Sequence, residues 1–151
     1  NVRENIFRQY FHTLKMPVGY NGDVITVGDI EKVRSQYSPL AHIMVGRALM
    51  ADPALFRKAK GGAAATLKEI QTYYDALLES YCVAFGNVKN ALMRMKEYWF
   101  FQHNLFENAE RAVKAIYKAK SMDEYLNATR FIYENCELKT EAAFGWKKEL
   151  L

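Results

Sequence analysis

The sequence predicts an α/β fragment, two successive βα units, followed by an all-helical bundle. Three observations predict it. Two short apolar runs, Met16-Pro17-Val18-Gly19-Tyr20 and His42-Ile43-Met44-Val45, each stop at a glycine-containing polar turn and lead into a helical segment. Both runs are continuously apolar rather than alternating, as strands of a helix-covered parallel sheet are. After Gly61-Gly62 the strand-like runs cease, and helical stripes with N-terminal caps take over.

The elements follow in order. Ile6, Phe7, Tyr10, Phe11 and Leu14 make a helical stripe over Glu4–Leu14. The first strand stops at Asn21-Gly22-Asp23. Thr26, with Asp29 three residues on, opens a helix carrying Ile30, Val33 and Tyr37 on one face, and Pro39 lies past its end. The second strand stops at Gly46-Arg47. Asp52-Pro53 then begins a helix to about Lys60, with proline at a first-turn position. Two strands cannot close or cover a sheet, and a complete eightfold barrel usually needs about 250 residues. The β part is therefore expected to be a fragment, its open edges inviting self-association or a further segment of chain. The absence of an initiator methionine agrees with a processed or truncated piece.

In the second half, Thr66-Leu67-Lys68-Glu69 and Ser121-Met122-Asp123-Glu124 read as capping boxes, and Gly86-Asn87 as a turn. Helices are predicted over 66–84, 88–105, 107–119 and 122–135. Their core faces are Ile70, Tyr73, Leu77 and Tyr81; Val88, Leu92, Met95 and Trp99; Ala112, Ile116 and Ala119; and Tyr125, Ala128, Phe131 and Ile132. Together they describe a small antiparallel bundle. The segments divide as 1–62, 63–137 and a tail, 138–151, which Phe144 and Trp146 are expected to tuck against the body.

Half of the 151 residues are hydrophobic and a quarter charged, the profile of a globular chain. No apolar run approaches the roughly 18 residues of a membrane span, and the N-terminus lacks a signal-peptide core, so a cytoplasmic location is expected. The net charge of +4 permits an anionic partner without requiring one. Cys82 and Cys136 form no Cys-x-x-Cys pattern and read as reduced, buried thiols.

In a parallel βα array the strand C-termini open on one face, so Asn21-Gly22-Asp23 and Gly46-Arg47 should meet there. Glycine allows close backbone approach, and the Arg47 guanidinium suits bidentate phosphate contact. Backbone N–H groups of the second loop and the following helix start would complete an anion site. The alternative for Arg47 is an ordinary surface pair with Asp52.

The order and spacing of Pro17-Val18-Gly19-Tyr20-Asn21-Gly22-Asp23-Val24, Asp29-Ile30 and Val45-Gly46-Arg47-Ala48-Leu49-Met50-Ala51-Asp52-Pro53-Ala54-Leu55-Phe56 resemble the tRNA-dihydrouridine synthases. Asn90-Ala91-Leu92-Met93-Arg94-Met95-Lys96 is similar to that family's Met-Arg-Lys helix. Ala48 stands where the family commonly has Gly, and Asp52 where it commonly has Asn. The resemblance implies the last two βα units of a flavin-binding TIM barrel followed by a helical tRNA-binding domain. It implies FMN, reduced by NADPH, as the cofactor that adds hydride across the C5–C6 bond of uridine in tRNA. It places Asn21, Gly22, Asp23, Gly46 and Arg47 at the FMN phosphate. The family's catalytic cysteine and flavin-contacting Lys and His belong to an earlier half-barrel, so no catalytic residue is assigned and this stretch alone should not reduce uridine. Cys82 lies beyond the barrel, and His42, at the wrong end of its strand, reads as structural.

Lys89, Lys96 and His103 recur every seven residues on one helical face, with Met93 and Phe100 beside it and Arg94 at the flank. Cations interleaved with apolar and aromatic side chains suit RNA; a plain solvated face is the alternative. Arg57, Lys58 and Lys60 form a second basic cluster after the phosphate loop. Arg111, Lys114 and Lys118 form a third, which ion pairs from Glu107 and Glu110 would largely neutralise. Two other readings remain: a stand-alone helical RNA-binding module, and a different FMN-binding or phosphate-ligand barrel whose helices are structural.

Overall fold

The computed structural model describes residues 3–144. In chain order its regular elements are α1 (Glu4–Tyr10), β1 (Gly19–Asn21), α2 (Val27–Gln36), β2 (His42–Met44), α3 (Arg47–Ala51), α4 (Leu55–Ala59), α5 (Leu67–Phe85), α6 (Val88–Gln102), α7 (Val113–Lys118) and α8 (Met122–Asn135). Turns of 3-10 helix extend α1 over Phe11–Thr13 and α6 over His103–Leu105.

The strands pair in parallel, Gly19 with His42, Tyr20 with Ile43 and Asn21 with Met44. Tyr20 and Ile43 join a small core with Phe7, Phe11, Ile30, Val33, Tyr37, Ala48 and Leu55. Its centre is aromatic: Tyr20 stacks on Tyr37 at 5.7 Å, and Phe7 meets both edge-on at 5.3 and 4.9 Å. The opposite sheet face, carrying Gly19, Asn21, His42 and Met44, is exposed. This is the half-covered sheet expected of a pair of βα units, predominantly helical around it.

The first strand begins later than its apolar run. Pro17 has no N–H for a ladder, and Met16 is 67% exposed, so pairing starts at Gly19 and includes Asn21. The helix expected over 52–60 is the shorter α4, and a separate helix, α3, precedes it. Arg47–Ala51 is already helical, and Pro53 forces Asp52 into an extended conformation (φ −135°, ψ 94°) before α4 begins.

The helical half packs around Trp99, Met95, Ile116 and Ile132, each fully buried. The Trp99 indole N–H donates to the Tyr125 hydroxyl at 2.9 Å. Thr26 and Thr66 make the expected capping boxes with Asp29 and Glu69. At Ser121 the box is shifted: Ser121 Oγ accepts from Glu124 N–H, while the Glu124 carboxylate reaches the Lys120 N–H at 2.7 Å. Gly86 closes α5 in the left-handed region (φ 56°), and the Asn87 side chain caps α6. The buried face of α5 is Ile70, Tyr74 and Leu78, leaving Tyr73 45% exposed. Val88 and Phe131 also face outward rather than inward, with Thr129 buried on α8 instead.

Residues 107–112 are turns, not the expected first half of a helix. Phe106 bridges Leu138 in antiparallel fashion, Glu107 N–H donates to the Glu137 carbonyl at 2.9 Å, and Asn108 adopts φ 55°. The backbone of 105–107, engaged in this pairing with a distant segment, cannot at the same time start a helix. The i, i+4 register from Glu107 to Arg111 is consequently absent.

The two cores share α3, whose Ala48 belongs to the smaller and Ala51 to the larger. Arg57 fastens the linker after α4. Its guanidinium grips the Glu69 carboxylate at 2.6 and 3.0 Å and donates to the carbonyls of Ala63 and Ala64. These bonds, with the Thr66 N–H, hold the Glu69 carboxyl down at about 2.

Candidate anion site at the strand ends

Parallel pairing with Asn21 opposite Met44 carries both chain turns to the same edge of the sheet. Gly22, Asp23, Gly46 and Arg47 then line one recess of about 130 Å³, with Asn21, Val24, Ile25, Met44 and Ala48 around them. That volume is well below the roughly 300 Å³ at which pockets begin to hold whole drug-sized ligands, and suits a phosphate-sized head group.

Each glycine has a separate reason. A Cβ on Gly22 would lie 2.5–2.7 Å from the Tyr20 ring and hydroxyl, so only glycine lets the turn fold back on the buried tyrosine. A Cβ on Gly46 would meet only the Met44 thioether, at 3.8 Å, and the chain's own packing does not require glycine there. It would instead take up room in the recess. Gly46 also caps α3, its carbonyl accepting the Leu49 N–H at 2.9 Å.

Arg47 Nη2 donates to Asp23 Oδ1 at 2.6 Å, not to Asp52. The pair is exposed (64% and 36%) and adds little to stability. It holds the guanidinium across the recess while leaving most of its five donors for a ligand. Asp23 subtracts from the positive potential but fixes direction. A glycine cradle with an oriented guanidinium fits a phosphate monoester.

Asp52 has a different partner. Its side chain is 4% exposed; Oδ1 accepts the Ala54 N–H at 3.0 Å, and Oδ2 lies 2.5 Å from Lys58 Nζ. Lys58 is itself 10% exposed and donates to the Thr140 carbonyl at 2.5 Å. An acidic residue is thus accommodated in a buried position because Lys58 neutralises it. Of Lys58 and Arg57, both expected to meet RNA, Lys58 is enclosed, and Arg57, at the surface, has its guanidinium committed to Glu69 and the Ala63 and Ala64 carbonyls. Lys60 is exposed, at a separate cavity of about 230 Å³ that also involves Arg34 and His42. His42, paired with Gly19 in β2, is exposed on the bare sheet face.

On α6, Lys89 is exposed, as are Met93 (57%) and Phe100 (61%). Arg94 pairs with Glu97 at the surface. Lys96 is half-buried and donates to the Ala119 carbonyl at 2.5 Å, capping the end of α7. His103 is also half-buried, its Nδ1 2.8 Å from the Trp99 carbonyl. Of the three groups expected on that face, Lys96 and His103 are tied into the fold and Lys89 alone is exposed. Cys82 and Cys136 are free, half-buried thiols packed against the larger core.

A match to the dihydrouridine synthase (Dus) family covers residues 7–150. The chain belongs to the dihydrouridine synthase family. Its members are flavin-dependent enzymes of tRNA dihydrouridine synthesis. A comparison with curated proteins finds no match. No helix among the described residues is long and apolar enough to cross a membrane. Phe144 packs against the body as expected, but sequence reasoning did not place it at the recess, which it lines from the far end of the chain. No local pattern signals that approach. Trp146, expected beside it, lies outside the described residues.

Proposed function

We propose that the chain takes part in FMN-dependent reduction of uridine to dihydrouridine in tRNA, holding the phosphate end of FMN at the strand-end recess. The observation that carries this reading is the convergence of Gly22, Gly46 and an Asp23-oriented Arg47 on one phosphate-sized space. FMN, recharged by NADPH, supplies the hydride when bound. Arg47 would donate to the phosphate oxygens, Asp23 would keep the guanidinium aimed, and Asn21 would add a side-chain amide at the rim. The proton for the uracil is assigned to neither cysteine, since neither lines the recess. The stretch 1–62 would form the closing βα units of the flavin barrel, and 63–137 the tRNA-binding module.

Titration of the full chain with FMN, followed by flavin fluorescence, tests the recess. Arg47→Ala and Gly46→Ala should each weaken FMN binding about tenfold, a loss of about 1.4 kcal/mol, with melting temperature unchanged. Gly46 has φ −113°, so alanine there meets no left-handed strain. A parent chain that ignores FMN, or variants that bind it equally well, would overturn the reading.

RNA contact is proposed for the exposed part of the α6 face, Lys89 with Met93 and Phe100, flanked by Arg94, and for Lys60. Phosphate contact by Lys89 and base stacking on Phe100, worth about 1–3 kcal/mol per base, would act together. Lys89→Glu combined with Phe100→Ala should weaken tRNA binding at least about tenfold in an anisotropy titration while FMN affinity holds. Unchanged tRNA affinity at moderate salt counts against this face.

A further inference from the structure

The segment after α8 runs back across the molecule as a strap. Glu107 N–H donates to the Glu137 carbonyl at 2.9 Å, and Lys139 N–H donates to the Leu105 carbonyl at 2.8 Å. Lys58 Nζ holds the Thr140 carbonyl, and Ala142 is 3% exposed in the larger core. Those ties deliver Phe144 to the junction of the two cores, where it packs against both. Its ring lies 5.5 Å from that of Phe101 at 68°, and it lines the same recess as Gly22, Gly46 and Arg47.

We propose that Phe144 is a specificity-determining residue of the recess, an apolar wall that selects phosphorylated over unphosphorylated ligands. This rests on the reading of the recess as a phosphate site. The physical ground is that an aromatic ring among the walls of the recess that Arg47 also lines replaces water on one side of the space. A charge-assisted hydrogen bond from Arg47 is then formed in a medium of lower polarity, where it is stronger. The gain reaches only a ligand that carries the anion. A neutral ligand of the same body meets the same wall and gains no ionic contact. The strap makes the wall a contribution of the helical half to a site otherwise built by the βα units.

The test titrates the full chain with FMN and, separately, with riboflavin, for the parent, Phe144→Ala and Phe144→Leu. Phe144→Ala should weaken FMN about fivefold and leave riboflavin unchanged, and Phe144→Leu should recover most of the loss. Equal losses for FMN and riboflavin would overturn selection by the anion. Loss of FMN affinity in Arg47→Ala but none in Phe144→Ala would overturn this inference and leave the phosphate site standing. A parent chain that binds neither flavin overturns both.

Discussion

Lys58→Met should lower the stability of the chain by about 3–5 kcal/mol, the usual cost of removing one partner from a buried ion pair. At about 2–4 °C per kcal/mol for a chain of this size, its melting temperature should fall by about 6–20 °C. The Asp52 carboxylate would be left in a site where it is 4% exposed, with only the Ala54 N–H to satisfy it. The Thr140 carbonyl would lose its donor as well. Adding Asp52→Asn removes the stranded charge while keeping an acceptor for Ala54, so the double variant should regain about half or more of the loss. Thermal melts of the two single variants and the double close the cycle. A Lys58→Met protein within about 1 kcal/mol of the parent would show that the pair is not the buried unit described here. The same pair accounts for an acid at this buried position: the charge has its own counter-ion six residues further on, in α4.

Gly22→Ala is the second large effect. The new methyl would overlap three atoms of Tyr20 at 2.5–2.7 Å, and Tyr20 is not free to yield, being stacked on Tyr37 and faced by Phe7. Overpacking of this kind costs about 1–3 kcal/mol, and the rigid aromatic neighbours place this site toward the upper value. Relief by moving the turn would displace Asp23 and with it the Arg47 guanidinium, so FMN affinity should drop beyond what Gly46→Ala causes. Tyr20→Leu in the same chain offers room for the methyl and should return part of the stability. Equal stability of Gly22→Ala and parent in a urea titration would refute the steric account.

Much of this arrangement is legible in the sequence because it is local. Capping residues satisfy their own first turn, so Thr26, Thr66 and Ser121 announce their helices without help from the rest of the chain. The two strand-end turns are equally local, and parallel pairing alone brings them together. The unreadable parts depend on distant segments. Residues 107–112 carry a helical pattern, yet the pairing of 105–107 with 137–139 claims the backbone where that helix would begin. Lys58 and Lys96 look like surface cations until a buried carboxylate and a helix end are found beside them. In the α5 stripe Ile70, Leu77 and Tyr81 do pack on the core, but Tyr73 is misread, because Tyr73 and Tyr74 are alike in sequence and only packing on Trp99 of α6 chooses between them. The missed α3 had a signal in Ala48-Leu49-Met50-Ala51, good helix formers that a loop reading undervalues.

That short helix has a mechanical consequence. Five residues of α-helix span only about 7.5 Å and form a stiff rod at this length. One end is the Gly46 cap at the anion recess, and the other, Ala51, is clamped without exposed surface in the helical core. A rod held this way works as a lever with no slack. A tilt imposed on α6, against which α3 packs, would reach the Gly46 loop through this rod, so strain in the helical half and the geometry of the strand-end recess are coupled.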